Sequence, residues 1–315
     1  MKGLSILIPV YEYNPTKLIK ELLQQSLQIE IPLKIILIDD ASSIDFFSNW
    51  ATPFQDSTTI QITRLNQNIG RAGIRNNLIQ EASFDWLLFL DSDTIPCTQN
   101  YLASFIPFLS ANYSCVCGGT AYRKELPEVS RRLRWEYGKA REEITSTIRN
   151  QNTFGTFTLN NLLIRKEVVL QFPLDNAIQK YGHEDTLLGM NLAANNIKML
   201  HIDNFVYHEG LDTNEIFLIK IKQSVSTLVD LHTQGKLLSD TKLIRLHQKL
   251  HRLRINRLFA SLMNPFINSI EKNLVGLTPS LMYMDLLKLW YFEKYLNLKV
   301  VDQKDTTTVC SDNSI

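Results

Sequence analysis

Leu87-Leu88-Phe89-Leu90-Asp91-Ser92-Asp93 joins a short apolar run to a pair of carboxylates, and it follows three alternations of strand-like and helix-like sequence. The apolar runs show no clean polar alternation, which is typical of strands in a parallel sheet covered on both faces. Strands joined by helices indicate βαβ units. The sequence therefore predicts an α/β fold with a Rossmann-like, mostly parallel sheet flanked by helices, with strands at 4–10, 33–38, 60–65 and 86–90 and helices at 15–29 and 70–82.

The ends of these strands are unusually polar. Open parallel sheets bind ligands outside the carboxyl ends of their strands, so these positions are the first candidates for a site. The first strand ends in Pro9-Val10-Tyr11-Glu12, the second in Asp39-Asp40 and the fourth in Asp91-Ser92-Asp93. We expect one edge of the sheet to gather several carboxylates and an aromatic ring.

The spacing of Asp91 and Asp93 suits a divalent cation, because Mg²⁺ and Mn²⁺ prefer hard oxygen ligands and would hold a diphosphate in turn. Acidic residues after strands also form turns and helix caps, so the pair alone leaves both interpretations open. Upstream, a helix is predicted to begin at Gly70. Its Arg71 and Arg75 are four residues apart and share one face, where guanidinium groups suit phosphate oxygens or form a solvated surface pair.

Composition narrows the class of protein. The 315 residues are 44% hydrophobic and 21% charged with a net charge of +1, which is typical of a soluble globular protein and gives no general attraction to nucleic acid. Neither a signal peptide nor a run of about 20 apolar residues is evident. We expect a cytoplasmic protein, with any membrane contact peripheral and at the inner face.

The C-terminal third has a different character. Residues 213–300 show helical periodicity, and residues 301–315 are polar and expected to be disordered. Between residues 216 and 257 there are nine Lys and Arg against two acidic residues, and residues 281–296 are rich in Leu, Met and aromatic residues. This region indicates either helices that pack on a core or a surface that contacts anionic membranes through residues 216–296.

Four motifs in this order resemble family 2 glycosyltransferases: Ser5-Ile6-Leu7-Ile8-Pro9-Val10-Tyr11, Ile38-Asp39-Asp40-Ala41-Ser42, Asn68 to Asn76, and Leu90-Asp91-Ser92-Asp93. The resemblance covers residues 3–210 and implies a GT-A type domain at 1–212. Its nucleotide-sugar half would be about 1–95 and its acceptor half about 96–212. Ile74 and Leu78 depart from the family pattern, which usually has a small residue and a Gly there.

The resemblance also implies roles for single residues. Tyr11 would line the pocket for the nucleotide base, Asp39 or Asp40 would hydrogen-bond the base, Asp91 would reach the ribose or the metal, and Asp93 would be the principal metal ligand. The other residues expected to contact the nucleotide sugar are Pro9, Glu12, Asn68, Gly70, Arg71, Arg75 and Ser92.

Further along the chain, Tyr181-Gly182-His183-Glu184-Asp185-Thr186 resembles the Glu-Asp signature of the family. It implies that Asp185 is the catalytic base, while Glu184 either holds the acceptor or caps a helix. His208 is expected as a third metal ligand, and Asn160 and Asn161 as acceptor-binding residues. Helix caps, turns and structural hydrogen bonds are the alternative roles for these positions.

The implied reaction moves a sugar from a nucleoside diphosphate donor, expected to be a UDP-sugar, to a hydroxyl of a glycan or a lipid-linked acceptor. It would proceed with inversion and use Mn²⁺ or Mg²⁺. Two other functions fit parts of the sequence. One is a phosphatase that uses the Asp91 and Asp93 pair, and the other is a non-catalytic protein that binds sugar or lipid on the same fold.

Overall fold

The computed structural model describes residues 3–178, 180–237 and 241–311, with side chains described as far as residue 299. Its strands are β1 (Leu4–Val10), β2 (Leu33–Asp39), β3 (Ile60–Arg64), β4 (Trp86–Leu90), β5 (Thr94–Pro96), β6 (Cys115–Cys117), β7 (Thr120–Ala121), β8 (Asn161–Arg165), β9 (Met199–His201) and β10 (Val206–His208).

The α-helices are α1 (Thr16–Ser26), α2 (Ile44–Ala51), α3 (Gly70–Glu81), α4 (Arg132–Arg141), α5 (Ser146–Arg149), α6 (Lys166–Gln171), α7 (Glu184–Ala194), α8 (Asn214–Thr233), α9 (Lys242–Arg252), α10 (Asn256–Met263), α11 (Ile267–Leu274) and α12 (Leu281–Ser311). Short 3₁₀ helices lie at Thr52–Phe54, Ala103–Leu109, Val129–Arg131, Asn150–Asn152, Phe154–Thr156 and Asn264–Phe266.

The main sheet has seven strands in the order β3-β2-β1-β4-β8-β6-β9. β3, β2, β1 and β4 are parallel, β8 runs antiparallel to both β4 and β6, and β6 pairs in parallel with β9. The predicted α/β fold with a mostly parallel sheet is thus confirmed. The first four predicted strands are present with ends shifted by a residue at most.

Each face of this sheet has its own core. Ile6 and Ile8 of β1 pack in a cluster with helix α1, whereas Leu7, between them in sequence, packs in a second cluster with helix α3. All three side chains are fully buried. Burial on both faces explains why the strands read as continuous apolar runs, since a polar residue would be desolvated on either side.

The helical segment at residues 128–148 is divided in the structure. It consists of a 3₁₀ turn, α4, and α5 after a break at 142–145. At the break the Glu143 carboxylate accepts a hydrogen bond from the backbone N–H of Tyr122, and the N–H of Ser146 donates to Asp203. Long-range partners for these groups stop the helix, and the local periodicity does not reveal them.

A small second sheet has the strand order β5-β10-β7. β10 runs antiparallel to β5 in a register that pairs His208 with Thr94. Because Thr94 follows Asp93 directly, this pairing brings His208 to the end of β4, although 115 residues separate Asp93 from His208 in the sequence.

The chain divides into two compact units. The first contains residues 1–126, 137–179 and 184–211, and the second contains residues 127–136, 180–183 and 212–315. The domain boundary expected near residue 212 stays a prediction. In the structure, residues 127–136 and 180–183 also belong to the second, helical unit. Within that unit, the buried Asn214 side chain donates to the carbonyl of Val129 and accepts from the N–H of Leu133.

The long helix α12 belongs to the second unit. Met284, Leu287 and Phe292 of this helix are buried and form core, whereas Met282 and Leu298 are exposed. The helix continues through Ser311, whereas we expected residues 301–315 to be disordered, because no Gly or Pro interrupts the sequence from 281 to 311. Residues 312–315 lie outside the described residues. Within the described chain, no helix is long and apolar enough to cross a membrane.

Replacing Asn161 should destabilise the first unit. Its Oδ1 accepts from Tyr101 Oη at 2.7 Å, and its Nδ2 donates to the carbonyls of Gly119 and Asn204 at 2.8 Å each. Asn161→Ala leaves these buried groups without hydrogen-bond partners. We expect the most affected group alone to lower the free energy of unfolding by about 1–3 kcal/mol. The neighbouring Asn160 is half-buried and bonds only to Thr side chains, so Asn160→Ala is the matched control. Thermal denaturation should show a clearly larger loss for Asn161→Ala, and equal losses would contradict this role.

Candidate active site

The residues that end β1 serve two purposes. Pro9 is half-buried in the strand, where it pairs with Ile38. Tyr11 is 56% exposed, so its ring is open to a planar ligand. Glu12 adopts φ 46°, and its carboxylate accepts from the N–H of Ser43, so it shapes the loop after β2 instead of facing a ligand as expected. Of these, Tyr11 is the residue available to a nucleotide.

Asp39 and Asp40 end β2, and the structure separates their roles. Asp40 accepts from the N–H groups of Ile69 and Gly70 at 2.8 and 3.0 Å, which satisfies the start of α3. Asp39 is fully buried, and its Oδ1 accepts from the N–H of Ser42 at 2.8 Å. Its buried Oδ2 has no hydrogen-bond partner among the described residues. Burial raises the pKa of Asp39 despite these bonds and nearby Arg64.

The start of α3 is already satisfied by protein groups. Asn68 Oδ1 accepts from the N–H of Gly70, which has φ 77°, and Asn68 Nδ2 donates to the carbonyl of Asp40. Asn68 and Gly70 therefore build the turn into the helix. Their expected contact with the nucleotide sugar stays a prediction.

A buried charge network joins α3, the end of β4 and α7. Arg75 Nη2 lies 2.5 Å from Asp91 Oδ1, and Arg71 Nε donates to Glu184 Oε1 at 2.7 Å. Arg75 and Glu184 are 3% and 5% exposed. Burial opposes ionisation of Glu184, but Arg71 and then Arg75 outweigh it and lower its pKa to about 2. We expected both arginines to bind a diphosphate, but Arg75 is committed to carboxylates, since an unpaired charge there would be costly.

Asp185 follows Glu184 in the first turn of α7 and is half-buried. Its Oδ1 accepts from the N–H of Thr186 at 2.7 Å. Burial and then the negative charge of Glu184 raise the pKa of Asp185 to about 6, against the weaker effects of Thr186 and the two arginines. Glu184 therefore anchors α7 to Arg71, and its expected contact with an acceptor stays a prediction. Asp185 is left as the carboxylate suited to proton transfer near neutral pH.

Asp93 and His208 lie together where β4 ends. His208 Nε2 is 3.2 Å from Asp93 Oδ2, and the N–H of Glu209 donates to the carbonyl of Asp93 at 2.8 Å. Gly210 packs so tightly on the Asp93 carboxylate that any side chain there would collide with it. The Nδ1 of His208 is buried without a hydrogen-bond partner among the described residues.

The fit of this pair to a divalent cation is partial. The described His, Cys, Asp and Glu side chains form no group of three or more that could hold a metal ion. The expected set of Asp91, Asp93 and His208 is therefore not assembled, because Asp91 is held by Arg75. Asp93 and His208 still supply one oxygen and one nitrogen donor, a combination that suits Mn²⁺, and the crowded Gly210 holds the carboxylate in place.

The remaining predicted residues lie near this edge with different exposure. Ser92 is half-buried in the turn between β4 and β5. Asn160 is half-buried, whereas Asn161 is 1% exposed with its side-chain polar atoms bonded within the protein; the contact of either residue with an acceptor stays a prediction. Asn161 ties β8 to neighbouring loops.

The sequence analysis missed Tyr13 and Tyr122. Burial, then the negative charges of Asp93 and Glu209, raise the pKa of Tyr13, so its hydroxyl is within the electrostatic influence of Asp93. The Tyr122 ring lies 5.7 Å from the His208 ring. Both are single tyrosines in loops or strand ends, and only the fold shows that they approach the Asp93 and His208 pair.

Known proteins resemble this chain in sequence and in fold. Poly-beta-1,6-N-acetyl-D-glucosamine synthase of Staphylococcus epidermidis is 31% identical over 96 residues, which are 30% of this chain and 23% of the synthase. A crystal structure of S. aureus TarS 1-349 matches with a TM-score of 0.51 at 16% identity, covering 94% of this chain and 90% of that one.

A mannosyltransferase, PcManGT from Pyrobaculum calidifontis in complex with GDP-Man and Mn²⁺, matches with a TM-score of 0.55 at 14% identity. The match covers 94% of this chain and 86% of that one. At such identities these two structures show a shared fold. The sequence model of glycosyl transferase family 2 matches residues 5–169, more than half of the 315 residues. The chain therefore belongs to glycosyl transferase family 2.

Proposed function

We propose that this glycosyltransferase moves a sugar from a UDP-sugar to a hydroxyl of a glycan or a lipid-linked acceptor, with inversion and with Asp185 as the base. The observation that carries the proposal is the contrast between Glu184 and Asp185. Arginines keep the first carboxyl ionised, while burial and then the negative charge of that carboxylate raise the pKa of the second to about 6. A base of that pKa is largely ionised at neutral pH and takes up a proton more readily than an ordinary aspartate.

The donor base is proposed to lie between Tyr11 and Asp39. The exposed Tyr11 ring offers a stacking surface, and Asp39 Oδ2 offers a buried acceptor. Its Oδ1 is occupied by the N–H of Ser42. A single remaining acceptor matches the one ring N–H of uracil, whereas guanine presents two adjacent donors that suit both oxygens of a carboxylate. This supports UDP as the nucleotide.

In the proposed reaction the acceptor hydroxyl attacks the anomeric carbon from the side opposite the nucleotide. The oxygen–carbon bond forms while the bond to the diphosphate oxygen breaks, and the nucleoside diphosphate leaves with that electron pair. Asp185 accepts the proton of the hydroxyl, and Asn160 is positioned to bond the acceptor sugar. Asp91 stays with Arg75 and faces the ribose. A divalent cation, when bound by Asp93 and His208, would offset the charge of the departing diphosphate.

The alternative functions are less well supported. A phosphatase needs the first aspartate of the pair as a free nucleophile, but Asp91 lies 2.5 Å from Arg75 Nη2. A non-catalytic protein would not need a carboxyl of raised pKa beside an ionised one, and such pairs are typical of catalytic sites.

Removing Asp93 should abolish metal-dependent binding of nucleotide. We expect UDP with Mn²⁺ to raise the melting temperature of the wild type more than UDP alone. Asp93→Ala should lose this extra shift, because half of the donor pair is missing, and Asp185→Ala, the matched control, should keep it. Thermal shift with and without Mn²⁺ measures both. An undiminished Mn²⁺-dependent shift in Asp93→Ala would remove Asp93 from the metal site.

Removing the proposed base should abolish transfer and leave donor binding intact. Asp185→Asn keeps the shape of the side chain but accepts no proton, so we expect transfer to fall by about 10²–10⁴-fold. UDP release from a panel of UDP-sugars with glycan and lipid-linked acceptors gives the rate. The exposed Asp56→Asn is the control. A rate for Asp185→Asn within a few-fold of wild type would contradict the assignment, and a wild type inactive with every acceptor would favour the non-catalytic alternative.

The rate of transfer should also depend on pH in a definite direction. Asp185 must be ionised to act, and its pKa is raised to about 6. Below that pH we expect kcat/KM to fall about tenfold per unit, and above it to level off. The pH profile of UDP release measures this, with a thermal-shift profile to exclude unfolding. An acid limb near pH 4, the value of an ordinary aspartate, would contradict the raised pKa.

A further inference from the structure

Helix α10 has an apolar side without a core to cover it. None of its eight residues, all of which the structure describes, is buried. Leu258 and Leu262 are 57% and 62% exposed and are four residues apart, so they are neighbours on one face. Ile255 precedes them by three residues and Phe266, 59% exposed, follows by four. Together they form a stripe of exposed apolar side chains.

Helix α10, which carries the stripe, is fixed by a contact with helix α12. Trp290 Nε1 of α12 donates to the carbonyl of Ala260 at 3.1 Å. Trp290 itself is 6% exposed. α10 is therefore packed within the helical unit, and its exposed side chains lie outside a core that is already formed.

Exposed basic side chains lie close to the stripe in sequence, and the sequence around the stripe has no acidic residues. Residues 241–270 contain no Asp or Glu. Lys249, Arg252, Arg254 and Arg257 are all exposed. We call these four residues, together with Leu253, Ile255, Leu258, Leu262 and Phe266, the α10 surface.

Arg254 adds a separate observation. It adopts φ 58° at the end of α9, where its N–H donates to the carbonyl of His251. Glycine or asparagine is usual in this left-handed position, because other side chains are strained there. An arginine in this position adds a positive charge at the tip of the turn, which a glycine would not.

We propose that the α10 surface docks on a membrane of anionic lipids. Exposed leucines and a phenylalanine, with exposed Lys and Arg close to them in sequence, are the pattern of helices that lie in the membrane interface. The apolar side chains would enter the boundary between head groups and acyl chains, while the cations face lipid phosphates. This narrows the broader region 216–296 expected from sequence, since most apolar residues of α8 and the side chains of Met284, Leu287, Leu289, Trp290 and Phe292 of α12 are buried.

Charge argues against a second copy of the chain as the occupant. A symmetric dimer through the α10 surface would bring like-charged arginines of both copies together, which costs energy in a water-poor interface. The proposal does not depend on the donor or on the base, because binding to lipid and transfer of sugar are measured separately.

Cosedimentation of the full chain with vesicles tests the proposal. At low salt we expect binding to phosphatidylcholine vesicles with about 30% phosphatidylglycerol and at least tenfold weaker binding to pure phosphatidylcholine. The pair Leu258→Ser and Leu262→Ser should lower affinity for anionic vesicles at least tenfold. The pair Arg254→Gln and Arg257→Gln should lower it at low salt and make binding less dependent on salt.

Control substitutions lie on the first unit. Leu27→Ser and Lys20→Gln change an 87% exposed leucine and an exposed lysine, and binding should stay at the wild-type level. Circular dichroism should show every variant folded, since the changed residues are exposed. The proposal would be overturned if the wild type did not bind anionic vesicles, or if both paired variants bound them as strongly as the wild type. Sedimentation that shows a wild-type dimer lost in the leucine pair would also overturn it, because the occupant is then a second copy.

Discussion

The ion pairs among Arg71, Arg75, Asp91 and Glu184 are the constraint on which the site depends. They join the helix after β3, the end of β4 and the start of α7, which come from distant parts of the chain. Arg75 and Glu184 are nearly inaccessible to water, so each needs the opposite charge. Loss of one member would leave another buried and unpaired, and the start of α7 would lose its attachment to the sheet edge.

Much of the fold could be predicted from sequence because its signals are local. Apolar runs between turn residues gave the four parallel strands, and their polar ends gave the edge where Tyr11, Asp39, Asp91 and Asp93 lie. Partners were not predictable in the same way. The spacing of Arg71 and Arg75 establishes that they share a helical face, but both a phosphate and a buried carboxylate suit that face. Glu184, which lies 109 residues beyond Arg75 in the sequence, determines that Arg75 pairs with a buried carboxylate.

The same distinction separates two neighbouring asparagines. Asn160 and Asn161 have equal chemistry and adjacent positions, so sequence offers no reason to treat them differently. The first residue of β8 is Asn161, which turns its amide into the protein toward Tyr101. Asn160 precedes the strand and stays half-buried. Because the first four residues of β8 are all buried, Asn161 lies in the core, whereas Asn160 lies outside the strand and keeps partial access to solvent.

Asp185 illustrates how function and stability oppose each other at this site. A carboxyl whose pKa is raised in the folded state favours the protonated form there, so its ionisation at neutral pH costs folding free energy. Glu184 acts in the opposite sense, because its lowered pKa contributes stability that is present above the unfolded pKa and is lost as the pH falls toward about 2. The arginines thus stabilise one charge strongly, and that charge makes its neighbour more basic. The raised pKa of the proposed base thus comes from burial and from a neighbouring carboxylate that a structural ion pair keeps ionised.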